Sequence, residues 1–278
     1  MLHPLSEPAY ETPYRGPTPP AQPPPARGRG AVGAAALGVG VLLFKFAKFI
    51  FIPLKFLGLG KFWVTGLSML AMVWSYAMFH GWLFAVGLVV LIFIHEMGHA
   101  FEIKRAGLGS SWPVFIPFMG AFITLKGAVL DVHTEARIGI AGPVAGAAAS
   151  LGCVLIYQAT GSTLFLALGY VGFFLNLFNM LPMRPLDGGR VFAAISRKAS
   201  PWGLGIVALA MFFTGSPMLI FIAIMGFMSW MSQRNMPPEA AERYHSIPDR
   251  LRLAWAGAYF GLVLALGLGM AYTFGAAS

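Results

Sequence analysis

The chain has 278 residues, of which 58% are hydrophobic and only 10% are charged, and its mean hydropathy is +0.73. This composition excludes an ordinary soluble domain and indicates a polytopic membrane protein. The net charge of +9 does not indicate nucleic-acid binding, because the basic residues flank apolar segments, as the positive-inside rule describes. Cys153 is the only cysteine, which excludes a disulfide framework.

The first 62 residues divide into two segments. Residues 1–30 are rich in proline and poor in core-forming residues, which predicts a disordered arm. They lack the charged and then apolar order of a signal peptide. Residues 31–62 combine apolar residues with lysines such as Lys45 and Lys55, a pattern typical of an interfacial or re-entrant segment. The sequence leaves open whether this segment dips into the membrane or lies flat.

The predicted catalytic core covers residues 63–232. Trp63 to Phe79 is a first membrane span, and a second begins at Trp82 and ends at Lys104 and Arg105. The second span has about the usual 20 residues of a membrane helix. It contains the motif His95-Glu96-Met97-Gly98-His99, which therefore lies within the membrane.

This His-Glu-x-x-His motif predicts a metal site. Residues four apart share a helical face, so His95 and His99 can bind one Zn²⁺, with Glu96 beside it as a general base. At a rise of 1.5 Å per residue, His99 lies about 8 Å and His95 about 14 Å from Lys104. An unpartnered ionisable group in a membrane span costs about 2.5 kcal/mol or more, which disfavours a chance occurrence of the motif.

Three further segments follow in the core. Trp112 to Lys126 is apolar but interrupted by prolines and Gly120, and it predicts a re-entrant loop or a small β-hairpin around Met119-Gly120. Arg137 to Tyr157 is another span, with small residues for close helix packing. Leu164 to Leu181 is the next helix.

A second motif ends that helix, in the segment from Asn179 to Arg190 with the sequence NMLPMRPLDGGR. Two prolines stop the helix and Gly188-Gly189 free the backbone, so Asp187 is expected on an unwound segment at membrane depth. An intramembrane carboxylate needs a partner. Two histidines that await a third ligand supply one.

Other polar residues compete for these roles. Glu102 shares the face of the two histidines, but three ligands on one straight helix cannot converge on one ion. Asp131 and Glu135 lie in a predicted loop and are weaker candidates for the third ligand. Asn176 and Asn179 are three apart on one face and can both line the site. Asn179 is nearer the helix break and is the preferred substrate-binding residue.

The C-terminal part begins with Arg190 to Lys198, which predicts a basic interfacial helix. Gly203 to Trp230 is either one long span or a hairpin that turns near Gly215, and the distribution of arginines favours the hairpin. Residues 233–278 form a basic loop and a final span from Leu253 to Phe274. The sequence thus predicts an all-α polytopic membrane protein with about six to eight transmembrane or re-entrant helices and a small membrane-associated β-hairpin.

The two motifs together resemble the site-2 protease family of intramembrane zinc metalloproteases. The resemblance covers about residues 60 to 275 and is carried by His95 to His99, Asn179-x-x-Pro182 and Leu186-Asp187-Gly188. It implies one Zn²⁺ per chain, with ligands His95, His99 and Asp187. It further implies that Glu96 activates water and that Asn179 positions the scissile peptide or stabilises the oxyanion.

The resemblance also implies a substrate and a location. The expected function is hydrolysis of a peptide bond in or near the transmembrane helix of a membrane-protein substrate, which Val114 to Leu125 would bind as an added strand. The expected location is a bacterial inner membrane, with the active site facing the cytoplasm. No stretch matches the PDZ or CBS domain of many relatives, and a gating role of His133 competes with a solvated loop histidine. The rival hypothesis is a catalytically silent metal-binding scaffold or transporter.

Overall fold

The computed structural model describes residues 60–127, 131–196, 199–215 and 217–278. This part of the chain forms nine α-helices and four short β-strands. The helices are α1 (Gly60–His80), α2 (Trp82–Arg105), α3 (Val132–Thr160), α4 (Thr163–Asn179), α5 (Asp187–Ile195), α6 (Ala199–Thr214), α7 (Pro217–Arg234), α8 (Pro238–Tyr244) and α9 (Asp249–Gly275). The strands, all between α2 and α3, are β1 (Gly109–Ser110), β2 (Val114–Ile116), β3 (Gly120–Phe122) and β4 (Leu125–Lys126).

The helices confirm the prediction of an all-α polytopic membrane protein. Four of those described are long and apolar enough to cross a membrane, by length and composition: Phe62–His80, Trp82–Arg105, Val132–Thr160 and Asp249–Gly275. The described part of the chain also contains three shorter apolar helices, Thr163–Asn179, Gly203–Thr214 and Leu219–Arg234. Large apolar side chains such as Leu83 and Phe212 are exposed, as expected for surfaces that face lipid.

The predicted arm at residues 1–30 lies outside the described residues, and so does most of the segment predicted at 31–62. Residues 60–62 of that segment belong to α1. The spans predicted from Trp63, Trp82 and Arg137 correspond to α1, α2 and α3.

Local sequence sets the ends of these helices. Gly81, with φ +82°, separates α1 from α2, and glycine takes this conformation without the penalty of a Cβ atom. The Asp131 carboxylate caps α3 by accepting the Thr134 N–H at 2.8 Å. Gly161, with φ +70°, ends α3, and its N–H donates to the Tyr157 carbonyl at 2.7 Å. Gly81 and Gly161 therefore end α1 and α3, and the next helix begins within two residues of each.

The segment after α2 forms the predicted hairpin. Strands β2 and β3 are antiparallel, with Phe115 opposite Ala121, and β1 pairs with β4 at the base. The hairpin follows the length of α1, since the Trp112 ring lies 4.4 Å from that of Phe62 and the Phe118 ring at the tip lies 5.4 Å from that of Tyr76. The hairpin therefore lies at membrane depth beside the first span.

The C-terminal half corrects two expectations and confirms one. The sequence predicts that Asp187 lies on unwound chain and that a helix begins at Arg190. Both expectations are wrong, because α5 begins at Asp187 itself. A carboxylate is favoured in the first turn of a helix by the helix dipole, so the unwound stretch ends at Leu186. The predicted hairpin around Gly215 is confirmed by α6 and α7. The predicted basic loop contains the short helix α8.

The core lies where α3, α4, α5 and α9 meet. Its buried members include Val132, Phe173, Met180, Val191 and Tyr259. At about 25 cal/mol per Å² of apolar surface, burial of such side chains holds α9 against α4 and α5, the two helices on either side of the second predicted motif.

Candidate metal centre

Three side chains from the two motifs meet at one point. His95 and His99 project from α2, and Asp187 projects from the first turn of α5. The two Nε2 atoms are 3.1 Å apart, and the Asp187 Oδ2 atom lies 3.2 Å from each of them. All three residues are buried, with exposures of 7%, 7% and 9%. Among the described residues, this is the group of histidine and carboxylate side chains that could hold a metal ion.

The other nitrogen of each imidazole has a fixed partner. The His95 Nδ1–H donates to the Asn176 Oδ1 atom at 2.8 Å, and the His99 Nδ1–H donates to the Ile138 carbonyl at 2.7 Å. The Asn176 amide is itself oriented, because its Nδ2 donates to the Gly172 carbonyl at 2.7 Å. These bonds leave both Nε2 atoms unprotonated in the neutral rings and direct their lone pairs at Asp187.

This donor set fits zinc. Two imidazole lone pairs and a carboxylate oxygen, all within 3.2 Å of one another, repel one another unless a cation lies among them. Three corners of a tetrahedron with zinc bonds of about 2.0 to 2.1 Å lie about 3.3 Å apart, close to the observed triangle. Three protein ligands leave one position open, which is the pattern of catalytic zinc sites.

The other carboxylates considered for the site differ in the contacts that they make. Glu96 is 6% exposed and directly follows the first ligand, His95, on α2. Glu102 pairs with Arg137, and Glu135 pairs with Arg184 at 2.6 Å. Asp131 caps α3. None of the last three belongs to the cluster formed by the described residues.

Glycines let α3 approach the metal ligands. A Cβ atom on Gly98 of α2 would lie 2.3 Å from the Ala141 carbonyl oxygen, so the two helix backbones are in contact. A Cβ atom on Gly142 would lie 2.2 Å from the His99 Nε2 atom. A Cβ atom on Gly146 would lie 2.1 Å from the Asn176 Oδ1 atom. The small-residue face predicted for this span therefore makes room for the site itself.

Gly142→Ala is expected to weaken zinc binding by at least about tenfold, because the added methyl group displaces the metal-binding nitrogen of His99. Gly152→Ala is the matched control, since a Cβ atom at that position of the same helix meets nothing within 4 Å. Zinc affinity is measured by competition with a chelator on detergent-purified protein. Equal affinity of Gly142→Ala and Gly152→Ala would contradict this packing.

The two predicted asparagines have different surroundings. Asn176 is 5% exposed and bonds to His95, a contact that sequence reasoning did not assign. The available signal was a buried amide on the motif face of an apolar helix, which requires a partner. Asn179 is half-buried at the end of α4, and within the described part of the chain no hydrogen bond engages its side chain.

His133 does not lie in a loop, as one alternative expected. It belongs to the first turn of α3, since the helix begins one residue earlier. Its Nδ1 atom accepts a hydrogen bond from the Trp255 indole at 3.1 Å. The residue therefore joins α3 to α9.

Comparison with known proteins identifies two curated relatives. A zinc metalloprotease of Methanocaldococcus jannaschii is 27% identical over 144 residues, which are 49% of this chain and 42% of the relative. Rip3 of Mycobacterium tuberculosis, whose name also refers to a zinc metalloprotease, is 35% identical over 118 residues, 40% of this chain and 30% of Rip3. No protein-family model matches. The chain therefore spans less than half the length of these relatives.

Proposed function

We propose that this chain, which is related to the site-2 protease family of zinc metalloproteases, hydrolyses a peptide bond in or near the transmembrane helix of a membrane-protein substrate. The observation that carries the proposal is the triangle of His95, His99 and Asp187, two of which lie on the membrane-length helix α2. Three protein ligands leave a fourth position for water or substrate. Glu96 directly follows His95 in the sequence and is proposed as the general base that a hydrolase needs and a purely structural metal site does not.

In the proposed mechanism, His95, His99 and Asp187 hold one zinc ion. Zinc in such a site makes water more acidic and polarises the scissile carbonyl. The Glu96 carboxylate takes a proton from water and passes it to the leaving amine. The Asn179 amide donates a hydrogen bond to the substrate carbonyl as negative charge develops there. The low exposure of the ligands strengthens these electrostatic interactions.

The β-hairpin supplies a surface for an unwound substrate. The outer edge of β2 is occupied by α1, because the Phe115 N–H donates to the Ser68 hydroxyl at 3.1 Å and the Thr65 hydroxyl donates to the Pro113 carbonyl at 2.7 Å. The Phe115 N–H therefore points away from β3, and the residue opposite Phe115 is Ala121. In such a pair of an antiparallel ladder both residues direct their main-chain groups outward, so the Ala121 N–H and C=O point away from β2. Among the described strands, none covers that edge.

A substrate strand is therefore proposed to add to β3 at Ala121. The hairpin packs against α2 through Phe115, Val89 and Phe93, and Phe93 is two residues before His95. An added strand would thus lie close to the metal ligands. Main-chain pairing is insensitive to side-chain identity, so the position of the unwound peptide would matter more than its sequence.

The site is proposed to open toward the cytoplasm of a bacterial inner membrane. The basic end of α2 contacts the start of α3 through Glu102 and Arg137, and Arg252 at the start of α9 donates to the Ala194 carbonyl at the end of α5 at 3.3 Å. These contacts support the proposal that the basic ends of these helices lie on one side of the molecule. The positive-inside rule assigns such a side to the cytoplasm.

Purified protein in liposomes, presented with a library of single-span membrane peptides, tests the proposed function. Cleavage products identified by mass spectrometry are expected within or next to the apolar segment. Chelation of zinc should stop the reaction and added Zn²⁺ should restore it. Products confined to soluble control peptides would contradict an intramembrane protease.

Replacement of the two asparagines is expected to separate metal binding from catalysis. Asn176→Ala removes the acceptor of the His95 Nδ1–H and should weaken zinc about tenfold or more. Asn179→Ala should leave zinc affinity unchanged and lower kcat by about 100-fold, the scale of a lost oxyanion donor. Zinc affinity by chelator competition and kcat on a cleaved peptide are measured for both. A loss of zinc affinity in Asn179→Ala would move that residue from substrate to metal binding.

A further inference from the structure

The C-terminal helix contacts the turn that carries the third metal ligand. Residues 180–186 join α4 to α5 and are here named the ligand loop. The Tyr259 hydroxyl on α9 donates a hydrogen bond to the main-chain carbonyl of Met180, the first residue of this loop. Tyr259 is 4% exposed and Met180 is 1% exposed. The bond is therefore shielded from water, and the carbonyl has no solvent to replace the hydroxyl.

The Met180 carbonyl lies directly beneath the start of α5. A Cβ atom on Gly188 would lie 2.1 Å from the Met180 oxygen, and one on Gly189 would lie 2.2 Å from the Met183 carbonyl carbon. The first turn of α5 thus rests on the main chain of the ligand loop. Asp187 immediately precedes these glycines, so a shift of the Met180 carbonyl moves the residue that holds the carboxylate.

Two further contacts tie the same region to the C-terminal segment. Arg184 of the ligand loop donates to the Tyr244 hydroxyl at 2.8 Å. Arg252 donates to the Ala194 carbonyl at the end of α5. The start, middle and end of the unit formed by the ligand loop and α5 are therefore each hydrogen-bonded to residues 244–259. His95 and His99 lie on α2, so the three ligands come from two separately supported parts of the chain.

We infer that Tyr259 is a positioning residue for Asp187, and that α9 thereby sets the zinc affinity of the site. The inference rests on the proposed function, since it assumes that Asp187 binds zinc. Loss of the hydroxyl leaves the buried Met180 carbonyl without this donor, and the ligand loop relaxes away from α2. The Asp187 oxygen then no longer completes the triangle with the two Nε2 atoms.

Zinc affinity of Tyr259→Phe, measured by chelator competition on the detergent-purified full chain, tests this inference. The substitution removes one oxygen atom and keeps the ring in its packing. Tyr272→Phe is the matched control, because its hydroxyl lies on the same helix and accepts from exposed Gln158 at 3.0 Å. Both substitutions are also made in an Asp187→Ala background. Tyr259→Phe is expected to weaken zinc about tenfold beside Asp187 and to have no effect beside Asp187→Ala.

The outcomes separate this inference from the proposed function. An equal loss with Tyr259→Phe in both backgrounds, or with Tyr272→Phe, would indicate a general packing effect and overturn the positioning role. Zinc binding that depends on Asp187 but is unaffected by Tyr259→Phe would overturn it as well. Absence of zinc from the wild type, or full affinity in Asp187→Ala, would overturn the proposed metal site, and the inference with it.

Discussion

Glu96→Gln is expected to keep one zinc ion per chain and to lower peptide hydrolysis by about 10²- to 10⁴-fold, the usual contribution of a general base. Glutamine has the shape of glutamate but cannot accept a proton from water at neutral pH. The ligand triangle of His95, His99 and Asp187 does not include Glu96, so metal binding should survive. Zinc content and single-turnover cleavage of a transmembrane peptide are measured on the same preparation.

Glu239→Gln is a suitable control, since Glu239 is exposed on α8 and should tolerate the change without effect on either quantity. Cleavage by Glu96→Gln at the wild-type rate would refute the protease mechanism. A metal transporter, the rival hypothesis, would instead move zinc across liposomes, and that flux would survive Glu96→Gln. The variant thus distinguishes a hydrolase from a scaffold or transporter with the same ligands.

Asp187→Ala is expected to weaken zinc binding by more than about 100-fold, beyond the effect of losing an outer-shell partner. The carboxylate supplies one of three ligand atoms, and its removal leaves two imidazoles on a single helix. Zinc per chain after dialysis against a weak chelator is the measurement. Activity should fall with zinc occupancy and return only at high added Zn²⁺.

Asp249→Ala provides the matched control, because Asp249 also lies in the first turn of a helix but is exposed, with Arg252 3.8 Å away. It should bind zinc as the wild type does. Zinc retained by Asp187→Ala would assign the third ligand to a different carboxylate. Loss of zinc in Asp187→Ala, together with retention of zinc in Asp249→Ala, would show that the two motifs bind one ion. Their ligands His99 and Asp187 are 88 residues apart (187 minus 99).

The membrane fold could be predicted because lipid imposes simple rules. A span needs a long apolar helix, and ionisable residues inside it need partners, so the sequence indicated both the helices and the meeting of His95, His99 and Asp187. The same rules say little about where a helix restarts. Asp187 was expected on unwound chain, yet it opens α5 because its charge is favourable at a helix N-terminus.

The supporting contacts could not be predicted in the same way. The acceptor for His99 is the main-chain carbonyl of Ile138, and every residue has such a group, so no side chain indicates it. The bond from Tyr259 to Met180 joins residues 79 positions apart and depends on how α9 packs. Asn176 was a visible candidate, but its partner was set by the rotation of α4 against α2, which periodicity alone does not determine.

The Nδ1 atoms of the two histidines differ in whether a mutation can remove their hydrogen-bond partner. His95 bonds to the side chain of Asn176, so one codon change can vary the basicity and aim of that imidazole. His99 bonds to a backbone carbonyl, which no side-chain replacement at Ile138 removes. Directed evolution toward another metal, such as Co²⁺, would thus find adjustable chemistry at position 176. The hydrogen bond from His99 to the backbone would remain, and the orientation of the His99 ring would change only through substitutions in the residues packed around it.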